Sequence, residues 1–246
     1  MINTLNESQL HKALKTFYAV QFSAQEEVKL GRWYCDLVCP DKRVVEIQTK
    51  NVGALKEKIH WLLEEGRRVM VVHPIIAQKT IETYGQDGAL ISRRKSPKKE
   101  SLWSELREFT SLAEFLCDKK LSILMPEITM AEKRVQSEEA QQSKNKRRRF
   151  KKSWQKTDKA LLTIGATYKL CGKKDWLSLL PRAALRPDAE PFSAATIRDA
   201  FIAEQKKEAA PHANLLLWLL RKASLITRVP HEGRAFFYVW SRRASL

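Results

Sequence analysis

The clearest alternation of apolar and polar residues along this chain lies between residues 33 and 49. Apolar side chains recur at about every second position on either side of a Pro-Asp-Lys sequence, which is typical of a tight turn. The pattern therefore predicts two short antiparallel strands, residues 33–38 and 43–49. Pairing across the turn brings Asp36 of the first strand close to Glu46 of the second.

The pattern on both sides of this strand pair predicts an α/β unit. Apolar residues at helical spacing predict helices, and short alternating or continuous apolar runs predict strands. The helices are residues 6–19, with Asn6 as N-cap, 52–66 and 103–117, and the further strands are residues 26–30, 68–76, 79–84, 89–92 and 121–125. A strand, a helix and a strand in succession predict parallel strands joined by a right-handed crossover.

From residue 154 onward the pattern is mainly helical. Ser193 is a typical N-cap, and Pro211 suits the first turn of a helix. Helices are predicted over residues 154–170, 175–181, 192–205 and 211–226, followed by two strand-like runs that flank a turn and end at residue 240. Helices followed by a β-hairpin predict a winged helix-turn-helix. The chain then divides into an α/β domain (1–135), a basic linker (136–153) and a mainly α winged helix domain (154–246).

The net charge of +17 is distributed unevenly. Residues 1–140 contain 22 Lys and Arg against 20 Asp and Glu, whereas residues 141–246 contain 23 against eight. The nine residues from Lys144 to Lys152 include seven cations. A basic half favours a polyanionic partner, and nucleic acid is the leading one. The linker is then either a solvated tether or an arm that contacts phosphates.

Cysteine usage and hydropathy favour a cytoplasmic protein. No apolar run is long enough to span a membrane, and no signal-like segment opens the chain, so we expect no membrane partner. Cys35 and Cys39 are expected to be packed thiols rather than half of a zinc site.

Asp36 and Glu46 are the candidate site residues for chemistry. Two carboxylates on one patch of an apolar sheet are costly unless a cation lies between them, and a divalent metal ion is the obvious one. The alternative is an exposed strand face on which both carboxylates pair with Lys or Arg.

Residues 6–72, in the order α-β-β-β-α-β, resemble the PD-(D/E)xK nuclease superfamily, the fold of many restriction enzymes and Holliday-junction resolvases. Asp36 followed by Glu46-Ile47-Gln48 carries the resemblance. It implies a restriction-endonuclease-like mixed sheet flanked by helices, with Asp36, Glu46 and the Ile47 carbonyl as ligands of Mg²⁺ or Mn²⁺. The metal ion would lower the pKa of a water and stabilise charge on the scissile phosphate.

Gln48 departs from the superfamily pattern, which usually has lysine at this position to place the attacking water. Glutamine can hydrogen-bond a water but carries no charge, and Lys50 on the same strand face could substitute in part. The catalytic set implied by the resemblance is therefore Asp36, Glu46, Gln48 and Lys50. Glu7 on the first helix matches a helical acid of the resolvase branch.

Taken end to end, the chain also resembles an uncharacterised prokaryotic protein family. The shared features are a Glu-Ile-Gln-Thr strand, a Val-His-Pro-Ile strand, a loop like residues 92–98 and a C-terminal winged helix. This resemblance supports the domain layout and implies no activity. His73, in the second of these strands, is expected to cap the strand end rather than to act as a catalytic base.

The candidate nucleic-acid contacts are basic and polar residues of the loop around Ser96, the linker and the winged helix. They are Arg93, Arg94, Lys95, Lys98, Lys99, Lys146, Arg147, Arg148, Arg149, Lys151, Lys152, His212, Asn214, Arg221, Lys222, Arg228 and Arg234. The loop is either a phosphate clamp or a solvated surface loop. The apolar middle of the 211–226 helix favours contacts to the DNA backbone over readout of bases, and protein contact is the alternative use of this domain.

We therefore expect a DNA-binding protein that acts as a metal-dependent DNA endonuclease. The first alternative is a non-catalytic DNA-binding or regulatory protein on a degenerate nuclease fold. The second is an interaction scaffold whose charge serves solubility. Symmetric cutting of two strands would favour a homodimer.

Overall fold

The computed structural model describes residues 8–142, 149–185, 190–230 and 233–241. The N-terminal part is α/β, with a mixed sheet flanked by helices. Its strands are β1 (Gln25–Leu30), β2 (Trp33–Val38), β3 (Val44–Ile47), β4 (Val69–Val72), β5 (Ile75–Tyr84), β6 (Leu90–Lys95), β7 (Leu121–Gln141) and β8 (Lys152–Cys171).

The strands β1, β2 and β3 form an antiparallel meander, and β3, β4 and β7 are parallel. Lys42 adopts φ 64° in the turn between β2 and β3, and its N–H donates to the Cys39 carbonyl at 2.9 Å, so the predicted turn is confirmed. β4 and β5 follow one another with only His73 and Pro74 between them, and both pair with β7. β3 pairs with β4 and β6 pairs with β5. β4 and β5 therefore act as one strand that is interrupted at His73 and Pro74. β7 lies on one side of this interrupted strand, and β3 and β6 lie on the other side.

The region expected to be a linker and a helix is instead a long β-hairpin. β8 pairs antiparallel with β7 from Ser122↔Cys171 to Gln141↔Lys152. The helix predicted over residues 154–170 is therefore wrong, and these residues belong to the first sheet. Short apolar runs fit the periodicity of a helix and that of a strand equally well. The Thr, Ile and Tyr side chains of this segment suit a strand once β7 supplies a pairing partner.

Helices cover both faces of the sheet. They are α1 (Gln9–Phe22), α2 (Lys56–Glu64) after a 3-10 turn at Val52–Leu55, and α3 (Leu102–Glu105) followed by a 3-10 helix at Leu106–Leu112. The Ser8 hydroxyl accepts from the N–H of His11 and caps α1, whereas Asn6 and Glu7 lie outside the described residues. The helix predicted over residues 103–117 is α-helical only at its start.

The residues of β3 and β4 divide between two core clusters. Val44 and Val71 pack with α2, while Val45 and Val72 pack with α1. Because neighbouring side chains on a strand point to opposite faces, α1 and α2 lie on opposite sides of the sheet.

The C-terminal part packs against the α2 side of the sheet. It contains α4 (Gly172–Leu177), α5 (Ala194–Ala203), α6 (Ala213–Lys222) and a small sheet ordered β10 (Ile226–Val229), β11 (Phe237–Trp240), β9 (Phe192–Ser193). The rings of Trp103 and Phe201 contact each other at 5.2 Å, and one continuous core cluster joins both parts of the chain. No helix among the described residues is long and apolar enough to cross a membrane.

Candidate functional site

Asp36 is held by α1 and by the backbone of β3. Its Oδ2 accepts from the Ile47 N–H at 2.7 Å and lies 3.5 Å from Nε2 of His11. Burial alone would raise the pKa of Asp36, but the hydrogen bonds from His11 and Ile47 outweigh it and hold the pKa below its usual range. Asp36 is therefore an ionised carboxylate with protein donors around it.

Glu46 is buried, with 2% of its surface exposed, and Oε2 forms an ion pair of 2.6 Å with Nζ of Lys58 on α2. Lys58 also donates to the Tyr34 carbonyl. Burial raises the pKa of Glu46 to about 7, although Lys58 lowers it. The other carboxylate oxygen, Oε1, has no hydrogen-bond partner among the residues that the structure describes.

The two carboxylates contact helices on opposite faces of the sheet. Cys35 and Leu37 are two positions apart in β2 but belong to different core clusters, so the strand's alternation is interrupted at Asp36. Glu27, across from Asp36 in β1, has φ 55°. The interruption lets Asp36 reach His11 of α1, while Glu46 points toward α2.

These residues do not fit the implied metal ion in this arrangement. The Ile47 carbonyl accepts from Nε2 of His11 at 2.8 Å, and Glu46 is already neutralised by Lys58. Within the described ranges, no group of three or more His, Cys, Asp and Glu could hold a metal ion. Gln48 is likewise committed, because its amide donates to the carbonyls of Lys50 and Asn51 and closes the turn after β3.

Lys50 instead lies at a cavity of about 500 Å³, which we call the notch. The notch opens where β3 ends and the chain after β6 returns to β5. Ser96 N–H donates to the Lys79 carbonyl at 2.8 Å and Glu100 N–H to the Ile76 carbonyl at 3.0 Å, which fixes the returning loop. The notch is lined by Thr49, Lys50, His73, Ile76, Lys98, Lys99, Glu100, Ser104, Glu105, Arg107, Glu108 and His212.

The buried His73 and the half-buried Glu105 form a pair that lines the notch. Nδ1 of His73 lies 2.6 Å from the Gln48 carbonyl oxygen and Nε2 lies 3.2 Å from Oε2 of Glu105. Burial alone would raise the pKa of Glu105, but its hydrogen bond with His73 lowers it. The sequence pattern placed His73 at a strand end but contained no signal for Glu105, which is 32 residues away.

A family model described as "Domain of unknown function (DUF8091)" matches residues 8–171. The chain belongs to this family. An "Uncharacterized protein" of Treponema pallidum (strain Nichols) is 39% identical over 122 residues, which cover 50% of this chain and 48% of that protein. The chain thus spans about half the length of this curated relative. No solved structure matches the chain.

The DUF8091 region ends with β8 and includes both carboxylates and most of the notch. Its exposed edge carries the predicted basic residues of β6, where Nε of Arg93 lies 3.3 Å from Glu82 and Arg94 and Lys95 are exposed. The tip of the β7–β8 hairpin carries further cations. Of the residues predicted there, Lys146, Arg147 and Arg148 lie outside the described residues, whereas Arg149, Lys151 and Lys152 are exposed.

Aromatic rings lie beside the cations of the hairpin. The Arg134 guanidinium lies 3.6 Å from the centre of the Trp154 ring, and Nζ of Lys152 lies 4.8 Å from it. Phe150 is 69% exposed beside Arg149. Burial, together with the neighbouring cations Lys50 and Lys156, lowers the pKa of Lys159 on β8 to about 8.

The predicted contacts beyond the DUF8091 region are divided between two places. His212 lines the notch, where burial and the nearby Arg107 lower its pKa. The others are on the surface of the C-terminal part. They are Asn214, Arg221, Lys222, Arg228, whose guanidinium stacks 3.5 Å from the Phe236 ring, and Arg234.

Proposed function

We propose that this protein binds DNA without cleaving it, and that the β7–β8 hairpin is its main contact to the phosphate backbone. The observation that supports this most is the end of the hairpin, whose described residues 136–142 and 149–154 we call the arm. β5 pairs with β7 only as far as Val135, so the arm extends beyond its neighbouring strands. It combines exposed cations with the exposed ring of Phe150 and the half-buried ring of Trp154, which suits phosphates and unpaired or terminal bases.

The C-terminal part supports the same proposal. We propose that it is a winged helix, with α5 and α6 as its helix pair and β10–β11 as its wing. Leu216, Leu217, Leu219 and Leu220 of α6 are buried, so the ends of α6 and the wing offer the contacts. Such contacts position a protein on DNA but carry no base sequence information.

The competing proposal is a metal-dependent nuclease with a restriction-endonuclease-like first domain. The order α1-β1-β2-β3-α2-β4 supports that fold, and the unpartnered Oε1 of Glu46 supports a missing cation. The ion pair of Glu46 with Lys58 on one face of the sheet, and the contact of Asp36 with His11 on the other, argue against it. All four cysteines are free thiols, which supports a reducing cytoplasm for either function.

The binding proposal is tested by fluorescence anisotropy of duplex DNA across a salt series. The plot of log K against log salt has a negative slope. We expect the Arg149→Gln, Lys151→Gln, Lys152→Gln variant to make this slope less steep by about 2 to 3, roughly one unit per lost phosphate contact. The matched control removes the same charge from exposed, ion-paired cations by Lys56→Gln, Arg68→Gln and Lys206→Gln. An arm variant that binds like wild type, or that loses no more affinity than this control does, overturns the proposal.

Incubation of wild type and Glu46→Ala with DNA and Mg²⁺ or Mn²⁺ separates the two proposals. We expect no metal-dependent cleavage from either protein at concentrations that saturate binding. Cleavage by wild type that Glu46→Ala abolishes, while an exposed Glu64→Ala control retains it, would establish the nuclease instead.

A further inference from the structure

The notch lies at the carboxyl ends of the parallel strands β3 and β4, where loops rather than strands line the surface. In open α/β sheets, ligands bind in crevices outside the carboxyl ends of the strands. A volume of about 500 Å³ is within the range of sites for small ligands.

The three carboxylates that line the notch each have a hydrogen-bond partner in the protein. Glu105 pairs with His73 at 3.2 Å, Glu100 accepts from the Ile76 N–H at 3.0 Å, and Glu108 accepts from the Val52 N–H at 3.3 Å. Lys98 lies 3.8 Å from Glu100 and is partly neutralised.

The remaining cations of the notch lack such partners. Within the part of the chain that the structure describes, Lys50, Lys99 and Arg107 form no ion pair. They come from three separate segments: the turn after β3, the loop after β6 and the 3-10 helix after α3. The Lys and Arg residues that line the notch exceed its three carboxylates by one. Cations that converge at a concave site are an arrangement that binds a multiply charged anion.

We propose that the notch binds a phosphate monoester, the group present at the end of a DNA strand and on a free nucleotide. A terminal phosphate carries up to two negative charges and matches Lys50, Lys99 and Arg107 better than a backbone diester does. A DNA strand that continues past a backbone phosphate must both enter and leave the site. His212 and the 3-10 helix after α3 form walls of the notch, which favours a strand end over a continuing strand. Binding of a DNA strand end at the notch rests on the proposed DNA binding, whereas binding of a free nucleotide does not.

The test compares duplexes that differ only by a 5′ or 3′ terminal phosphate, together with adenosine monophosphate and inorganic phosphate. We expect wild type to bind a phosphorylated duplex about tenfold more tightly than the hydroxyl form, the range of a charge-assisted contact. The Lys50→Gln, Lys99→Gln variant should lose this preference. The Arg94→Gln, Lys95→Gln control removes two exposed cations of β6 outside the notch and should keep the ratio, even if overall affinity falls.

The outcomes distinguish the source of the phosphate. Preference for a phosphorylated end without binding of the mononucleotide assigns the notch to strand ends, and equal binding of the mononucleotide assigns it to a nucleotide. No preference and no mononucleotide or phosphate binding at millimolar concentration overturns the inference. If the hydroxyl duplex still binds in a salt-dependent way, only the notch assignment fails and the proposed DNA binding stands.

Discussion

At the scale of single residues, the fate of Glu46 shows how burial changes what a carboxylate can do. Its alternation with Val45 and Ile47 is visible in the sequence, but its partner Lys58 is 12 residues away on α2. A buried charge is tolerated only when it is paired, so each member of this pair depends on the other.

We expect Glu46→Gln or Lys58→Met alone to lower the free energy of unfolding by about 3 to 5 kcal/mol, because each leaves a polar or charged group buried without its partner. The double variant Glu46→Gln, Lys58→Met should be less destabilised than the two single effects added together. Urea unfolding of the four proteins completes the cycle. Strict additivity of the two single effects would show that the pair is not coupled.

Glu132 is the second buried carboxylate with charged neighbours, at 2% exposure. Burial alone would raise the pKa of Glu132, but hydrogen bonds from Lys156 and Arg134 hold it at about 2. Because the pKa in the folded state is below the ordinary value of 4.5, this group stabilises the fold above pH 4.5. Its contribution is lost as pH falls from 4.5 toward 2.

We expect Glu132→Gln to lower the free energy of unfolding at pH 7 by roughly 1 to 3 kcal/mol, since partly exposed partners weaken the effect. Between pH 4.5 and 3 the variant should lose less stability than wild type. Urea midpoints at pH 7, 4 and 3 measure both effects. Glu138→Gln, an exposed change on the same strand, is the control, and equal pH dependence in all three proteins would contradict the assignment.

At the scale of elements, the turn between β1 and β2 is fixed by a close approach. Gly31 has φ 55°, and a Cβ at this position would lie 2.8 Å from the Trp61 ring of α2. We expect Gly31→Ala to cost more stability than Gly88→Ala, whose φ is 81° but whose Cβ would meet no atom within 4 Å. The control should lose only the backbone term of about 1 to 2 kcal/mol. Thermal unfolding midpoints compare the two variants. An equal loss of stability in Gly31→Ala and Gly88→Ala would refute the contact with Trp61 as the cause.

The arm is the element whose structure matters most to the proposed function. Sequence composition identified its charge, but not the strand pairing that holds the charge beyond the sheet. As a flexible tether, the same cations would bind phosphate without a fixed direction. As a hairpin, they project from β7 and β8, with Trp154 held against Arg134.

At the scale of the whole molecule, the continuous core cluster makes the C-terminal part depend on the sheet. The ring of Trp103 on α3 contacts that of Phe201 on α5 with 5.2 Å between the ring centres, and the ring of Phe109 contacts that of Trp176 on α4 at 6.4 Å. These rings bury apolar surface that neither part could cover alone.

We expect Phe201→Ala to lower the free energy of unfolding by about 3 to 5 kcal/mol and to destabilise both parts of the chain together. Far-UV circular dichroism and tryptophan fluorescence should therefore report one coincident transition for wild type. Ile202→Ala, which truncates a half-exposed neighbour on α5, should change stability much less. Two separate transitions would contradict a shared core.

The sequence by itself determined the elements that depend on near neighbours. The pair β2–β3 follows from the alternation of apolar residues around a turn. The order of elements from α1 to β4 follows from apolar periodicity and from the residues that begin or end helices and strands. The N-cap of α5 follows from Ser193. The sequence also identified Lys98 and Lys99 as neighbouring cations of one basic loop. These features are local because each rests on residues within a few positions along the chain.

Only the tertiary structure decided the features that depend on a distant partner. Residues 152–171 are a strand because β7 offers a ladder of hydrogen bonds, although their apolar spacing also fits a helix. Asp36 and Glu46 turn to opposite faces because the alternation of β2 is interrupted opposite Glu27. The notch exists because the β4–β5 strand is interrupted at Pro74 and brings separate loops together. No local sequence pattern predicts that these loops lie together, because they are distant along the chain and only the folded sheet brings them into contact.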